Sequence, residues 1–215
     1  MQRSKRIGAA LSSGLLALCI NHAGAQEFTA KLSGNNEIGS IPNGTAYAQS
    51  YTGAVLSNGT GTVKLDLDQK TGMVTYTLTY SNVGTTAPKT GTVLFAHIHF
   101  GKSRDSGGVL VFFCTNSLPF TGTGPTPPSC PLNSGTVSGT WTGANVQAIA
   151  GQNVNAGDFN ALVNALTSNT AYANVHQTTY PGGEIRGQVH RSDHEENDDN
   201  HDHNDDEHAA DYLSA

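Results

Sequence analysis

The stretch LFAHIHFG, residues 94–101, alternates apolar and histidine side chains with a period of two. This is the period of a β-strand, in which successive side chains point to opposite faces of the sheet. Ile98 and Phe100 are therefore expected on one face, with His97 and His99 on the other. Two imidazoles on one face, two residues apart, can bind a single metal ion. The alternative is that both histidines are polar residues on the outer face of a half-buried strand.

The same alternation recurs on both sides of this stretch. Residues 62–67 and 73–80 alternate cleanly and are joined by DQKTG, which predicts a β-hairpin. Further short strands are expected at 28–32, 47–56, 109–113, 136–141, 170–176 and 184–190, with a turn at 181–183.

The period changes once, over residues 155–166. One apolar stripe at helical spacing is formed by Phe159, Leu162, Val163 and Leu166. Asp158 is expected in the first turn, where a negative charge suits the helix dipole.

Many short strands, frequent turn signals and one short helix predict an all-β fold. We expect a Greek-key β-sandwich of the superoxide dismutase-like or immunoglobulin-like kind.

Charge is distributed unevenly along the 215 residues, which carry a formal net charge of -6. Residues 26–191 contain seven acidic and eight basic side chains, whereas residues 192–215 contain ten acidic side chains and no Lys or Arg. The body is thus nearly neutral, and we expect the acidic segment to be a disordered tail. Nothing in this distribution resembles the basic footprint of a nucleic-acid-binding protein.

Residues 1–25 have the three parts of a secretory signal peptide. A basic start is followed by an apolar stretch over 7–20 and by an A-x-A cleavage site at 23–25. No other segment is long and apolar enough to cross a membrane. We therefore expect a secreted or periplasmic protein with one domain over 26–191.

Two cysteines, Cys114 and Cys130, follow the signal peptide. An exported protein meets an oxidising compartment, so a disulfide between them is expected. Two thiolate metal ligands are the alternative.

Two motifs together resemble the CHRD domain, a family named from chordin and present in many exported microbial proteins. They are AHIHFG at 96–101 and YANVHQTTYPGGEIRGQV at 172–189, and the resemblance covers about residues 26–190. The family usually has Thr where this chain has Gln177. By analogy with chordin, which binds secreted signalling proteins, the resemblance also implies a non-catalytic extracellular module that binds a protein partner.

A weaker similarity is to copper/zinc superoxide dismutase, which also carries a His-x-His strand, a later His and an Arg on a final strand. His97, His99, His176 and Arg186 follow in that order here. The similarity implies three copper-ligand positions, with Arg186 in the place of the anion-guiding arginine. No counterpart of the fourth copper histidine or of the zinc-binding loop is present. If the protein is an enzyme, the similarity implies a copper oxidoreductase of this type.

Two further groups of side chains bear on the metal hypothesis. Glu184 and Arg186 share a strand face, either as a structural ion pair, as a clamp on a neighbouring loop, or as a histidine-orienting carboxylate beside an anion-guiding guanidinium. In the acidic tail, histidines among the carboxylates could chelate metal weakly. These are His194, His201, His203 and His208.

The residues thus favour an exported metal-binding β-sandwich that serves metal handling or redox chemistry. Imidazole suits several transition metals, and the superoxide dismutase similarity makes copper the first choice and zinc the second. The extracellular interaction module remains the alternative. Hydrolase and nucleotide-binding functions have no supporting motif.

Overall fold

The computed structural model describes residues 25–38 and 53–192. The segments assigned to the signal peptide and the acidic tail, including its four histidines, lie outside these ranges, apart from Ala25 and Ser192. The described residues form nine strands and one α-helix: β1 Ala25–Ser33, β2 Thr60–Asp68, β3 Met73–Ser81, β4 Val93–Phe100, β5 Gly108–Thr115, β6 Gly135–Trp141, α1 Phe159–Thr167, β7 Ala171–Gln177, β8 Tyr180–Gln188 and β9 His190–Arg191. Three single-turn 3-10 helices lie at Gly34–Asn36, Gly143–Asn145 and Ala150–Gln152.

The strands form one antiparallel sheet in the order β5-β4-β7-β8-β1-β2-β3-β6, and β9 pairs with β1. The sheet curls until its two end strands, β5 and β6, approach each other. The Tyr76 hydroxyl donates to the Phe113 carbonyl at 3.0 Å, and the Trp141 indole N–H donates to the Phe112 carbonyl at 2.8 Å. The sheet is therefore nearly closed, and the predicted all-β fold with one short helix is confirmed.

The β2–β3 hairpin shows why the alternating segments fold this way. Val63, Leu65 and Leu67 of β2 are buried in the core, and the residues between them are exposed or half-exposed. Each such burial contributes roughly 1.5 to 3 kcal/mol relative to exposure. Trp141 of β6, 1% exposed, stacks on Tyr76 with ring centroids 4.3 Å apart, so this tryptophan belongs to the core.

The centre of the sheet differs from the hairpin because both faces of β4 and β7 are covered. All seven residues of β7 are buried, as are four consecutive residues of β4 from Ala96 to His99. The pairing of β4 with β5 is irregular at two places, between Ala96 and His97 and between Ile98 and His99. Such bulges reorient side chains, and here Phe112 of β5 comes to lie opposite His97.

The predicted helix and disulfide are both present. Asp158 is the N-cap of α1, and its carboxylate accepts a hydrogen bond from the Ala161 N–H at 3.1 Å. Leu162 and Leu166 of α1 are buried in the core. Cys114 and Cys130 form a disulfide. No helix within residues 25–38 and 53–192 has the length and apolar character needed to cross a membrane.

Two local predictions are wrong. The turn expected at 181–183 lies at Thr178 and Thr179, because the Gln177 side-chain oxygen accepts the Thr179 N–H at 2.7 Å and closes the chain there. The Pro-Gly-Gly segment is consequently part of β8.

The second error concerns the strand expected at 47–56, of which residues 47–52 lie outside the described ranges. Residues 53–56 form no strand. The Val55 N–H instead donates to the Gly34 carbonyl at 2.8 Å, so this segment is held against the 3-10 helix after β1.

Candidate metal centre

The three histidines singled out from the sequence meet on the outer face of the sheet. His97 and His99 lie on β4, and His176 lies on the adjacent strand β7. The ring centroid of His97 is 5.2 Å from that of His99 and 4.9 Å from that of His176. One ligand atom from each ring can be chosen so that all three lie within 4.8 Å of one another. We call these residues the histidine cluster.

Two rings of the cluster are held in place by backbone carbonyl groups. His99 Nδ1 lies 3.0 Å from the Gly107 carbonyl oxygen, and His176 Nδ1 lies 3.0 Å from the Pro181 carbonyl oxygen. Because a carbonyl only accepts hydrogen bonds, each Nδ1 carries the proton, and each Nε2 presents a lone pair. This is how metal-binding histidines are commonly oriented.

The remaining ring nitrogens have no hydrogen-bond partner. These atoms, the Nε2 of His99, the Nε2 of His176 and both nitrogens of His97, are all buried. A buried polar atom without a partner costs roughly 1 to 3 kcal/mol. Four such atoms in one cluster therefore need an explanation.

Burial also keeps these rings neutral. It lowers the pKa of His97 well below its ordinary value, and the neighbouring His176 and His99 lower it further. Burial lowers the pKa of His99 to about 4, against the opposing effect of its hydrogen bond to Gly107. Burial and the nearby His99 lower the pKa of His176 to about 3. Neutral imidazole is the form that binds metals.

Aromatic rings enclose the cluster. Phe95 stacks on His97 with centroids 4.7 Å apart, and Phe112 meets the same ring edge-on at 4.3 Å. Tyr172 lies parallel to His99 at 4.7 Å. These contacts limit rotation of the imidazoles, and all three histidines lie on strands rather than on loops.

Arg186 is buried behind this aromatic layer. Its guanidinium carbon lies 3.3 Å from the centroid of the Tyr172 ring. Its Nη2 donates to the carbonyl groups of Lys102 and Asp105 at 2.9 Å. The same segment, residues 101–107, supplies the carbonyl that holds His99. Arg186 therefore clamps the loop after β4, which is one of the roles the sequence suggested for it.

Glu184 does not hydrogen-bond a histidine of the cluster. Its carboxylate accepts from the Ser57 hydroxyl at 2.6 Å and from the Gly84 N–H at 2.8 Å. The expectation that Glu184 orients a ligand histidine is thus not met, since backbone carbonyls do so instead. The alternation along β8 predicted the face on which Glu184 lies, but it could not predict which loops fold over that face.

Gly107 and Tyr172 also support the cluster, and the sequence did not mark either of them as a site residue. Gly107 packs so closely that a Cβ there would collide with the Phe100 carbonyl oxygen. The Gly107 N–H also donates to the Tyr172 hydroxyl at 3.1 Å. The period-two spacing of Tyr172 from His176 placed both on one face, but only the fold brings Gly107 beneath them.

The donor set suits a first-row transition metal. Imidazole nitrogens bound to one such ion at about 2.0 to 2.1 Å lie roughly 3 to 3.5 Å apart, so the three nitrogens, which lie within 4.8 Å of one another, would draw closer to share it. Three imidazoles also leave a coordination position for a further ligand. The buried nitrogens without partners fit this use.

Comparison with known proteins gives one positive result. Residues 28–189 match the family model described as the CHRD domain. A search of curated proteins found no match. The matched range contains strands β2 to β8 in full and β1 from Phe28 onwards, and it contains the histidine cluster; β9 follows it.

Proposed function

We propose that this chain, which belongs to the CHRD domain family, is an exported protein that binds one metal ion through His97, His99 and His176. Membership of the family and the disulfide both fit an extracellular or periplasmic protein. The proposed role is metal handling or redox chemistry outside the cytoplasm.

The observation that carries this proposal is the convergence of ring nitrogens that are buried and have no partner. Structural histidines normally satisfy both nitrogens, with protein groups or with water. Here two of the rings satisfy only the nitrogen that faces away from the cluster. A bound cation would compensate all three inward-facing atoms at once.

Copper is the first choice and zinc the second. For a given set of nitrogen ligands, Cu²⁺ binds more tightly than Zn²⁺. Bound copper would supply one-electron redox chemistry, whereas zinc would supply none. An oxidoreductase activity resembling that of superoxide dismutase is therefore a further part of the proposal, to be tested by superoxide consumption in the copper-loaded protein.

The acidic tail is proposed as a second, weaker metal-binding segment. His194, His201, His203 and His208 are interspersed with ten carboxylates in residues 192–215. Such composition is typical of weak transition-metal chelation. Deleting these residues should remove the weakest binding events and leave the tightest one.

The test is calorimetric titration of the full chain with Cu²⁺ and, separately, Zn²⁺. His97→Ala, His99→Ala and His176→Ala should each remove a large part of the tight binding. Double variants should add little once the site is broken, because the ligands act as a unit. His190→Ala is the matched control, since His190 is exposed on β9 and lies outside the cluster.

Bound metal should also stabilise the fold, because it binds only the folded cluster. The melting temperature should rise on metal addition in wild type and in His190→Ala but not in His99→Ala. If wild type and His99→Ala bind copper and zinc equally weakly, the metal proposal fails. The extracellular interaction module then becomes the better explanation.

A further inference from the structure

A cavity of about 400 Å³ lies beside the histidine cluster. It is bounded by β4, by β5 and by the loops that contain Phe120 and Gln147. His97 is the cluster residue that lines it. A volume of this size is typical of small-molecule sites.

The lining is aromatic and uncharged. Phe95, Phe112 and Phe120 contribute rings, and Val109 and Ile149 add aliphatic surface. No Asp, Glu, Lys or Arg is found among the described residues that line the cavity. The wall offers an ionised ligand no counter-charge, so the cavity favours uncharged ligands.

The rings that line the cavity contact one another edge-on, and a ligand ring can make the same kind of contact with them. Phe112 and Phe120 meet edge-on with centroids 5.1 Å apart, and Phe112 meets His97 edge-on at 4.3 Å. Edge-on and offset contacts are the favourable geometries between aromatic groups. Thr115, Ser117 and Thr121 add polar groups to the wall.

We propose that this cavity binds small uncharged aromatic molecules of the phenol type, seated on Phe112 and Phe120 and adjacent to His97. The inference deepens the proposed function and rests on it only for the nearness of the ligand to a metal. Seating the ring on Phe112 and Phe120 is a property of the metal-free protein. The histidine cluster and the cavity share His97, so a bound phenol lies next to the proposed metal.

The experiment uses 4-fluorophenol as the probe and ¹⁹F NMR of the full-length, metal-free protein as the readout. Phe120→Ala should weaken binding about five- to tenfold, the amount expected for losing one aromatic contact. Leu132→Ala is the control, because Leu132 is 62% exposed and does not line the cavity. Its affinity should equal that of wild type. The charged analogue 4-fluorobenzoate should bind at least about tenfold more weakly at pH 7.

A second measurement separates this proposal from the metal proposal. One equivalent of Cu²⁺ should broaden the ¹⁹F signal of the bound probe in wild type but not in His176→Ala, whose altered residue does not line the cavity. Probe binding without broadening overturns the metal site and leaves the cavity proposal standing. Absence of probe binding, or equal binding by wild type and Phe120→Ala, overturns the cavity proposal whatever the metal does.

Discussion

His99 Nδ1 lies 3.0 Å from the carbonyl oxygen of Gly107, eight residues further along the chain. This contact joins a proposed metal ligand on β4 to the last residue of the loop that leads into β5. The orientation of the imidazole therefore depends on the position of a loop backbone.

Gly107→Ala should weaken metal binding although it removes no ligand. The added Cβ collides with the Phe100 carbonyl oxygen, so the backbone must shift and the acceptor for His99 moves with it. Losing such an orienting contact typically costs about 10- to 100-fold in metal affinity, and overpacking costs about 1 to 3 kcal/mol of stability.

Calorimetry and urea unfolding measure the two effects. Gly151→Ala is the control, because a Cβ at Gly151 meets no atom within 4 Å. Equal metal affinities for the two alanine variants would show that the Gly107 carbonyl does not position His99.

Arg186→Met should loosen the loop after β4. The substitution removes two carbonyl contacts of 2.9 Å and the cation that lies on Tyr172. We expect faster hydrogen exchange in residues 101–107 and a several-fold loss of metal affinity. Arg104→Met is the control, since Arg104 is exposed in the same loop. Unchanged exchange and affinity, together with altered superoxide consumption, would favour the anion-guiding role over the clamp.

The metal-free protein should lose stability as the pH falls from about 6.5 towards 4. An unfolded histidine has a pKa near 6.5, whereas burial lowers the pKa of His99 to about 4 and that of His176 to about 3. Between these values the unfolded chain binds protons that the folded chain does not. The free energy of unfolding should therefore fall by up to about 1 kcal/mol per pH unit for each histidine.

Urea unfolding in the presence of a chelator, at intervals from pH 7 to pH 4, measures this dependence. His99→Gln should flatten the profile, whereas Leu132→Ala, which changes an exposed side chain that does not titrate, should leave its slope unchanged. A stability that is constant or rises towards pH 4 would contradict the burial of neutral imidazoles.

The disulfide should be inert to thiol reagents until it is reduced. Cys114 is fully buried and Cys130 is 5% exposed. Reduction should lower the free energy of unfolding by about 3 kcal/mol, as expected for a loop of this length. The double variant Cys114→Ala/Cys130→Ala should match the reduced protein and respond no further to reductant. Two thiols that react at once in freshly isolated protein would show that the bond does not form.

Sequence periodicity predicted β2 and β3 well because their side chains alternate between the core and the solvent. It placed Ile98 in the core and His97 and His99 on the opposite face, as the structure has them. It could not show that this opposite face is also buried. That burial comes from residues 101–107, from Arg186 and from the β5 bulges that bring Phe112 to His97. No hydrophobic periodicity in the sequence marks these features.

The Pro-Gly-Gly error has a similar origin. Proline and glycine normally mark a turn, but the Gln177 side chain closes the turn at Thr178 and Thr179, before Pro181 is reached. The displaced Pro181 then presents its carbonyl to His176. Local composition indicated where the chain departs from a regular strand, and only the tertiary pairing determined what that departure does.

The two side chains that fasten β5 to the other end of the sheet, Tyr76 of β3 and Trp141 of β6, have a consequence beyond the fold itself. An open sheet ends in rows of unpaired backbone groups, and those rows recruit strands from other molecules. Tyr76 and Trp141 direct their donors at consecutive carbonyls of β5, those of Phe113 and Phe112. Those two carbonyls are therefore not available to an incoming strand, which disfavours edge-to-edge association at this end of the sheet.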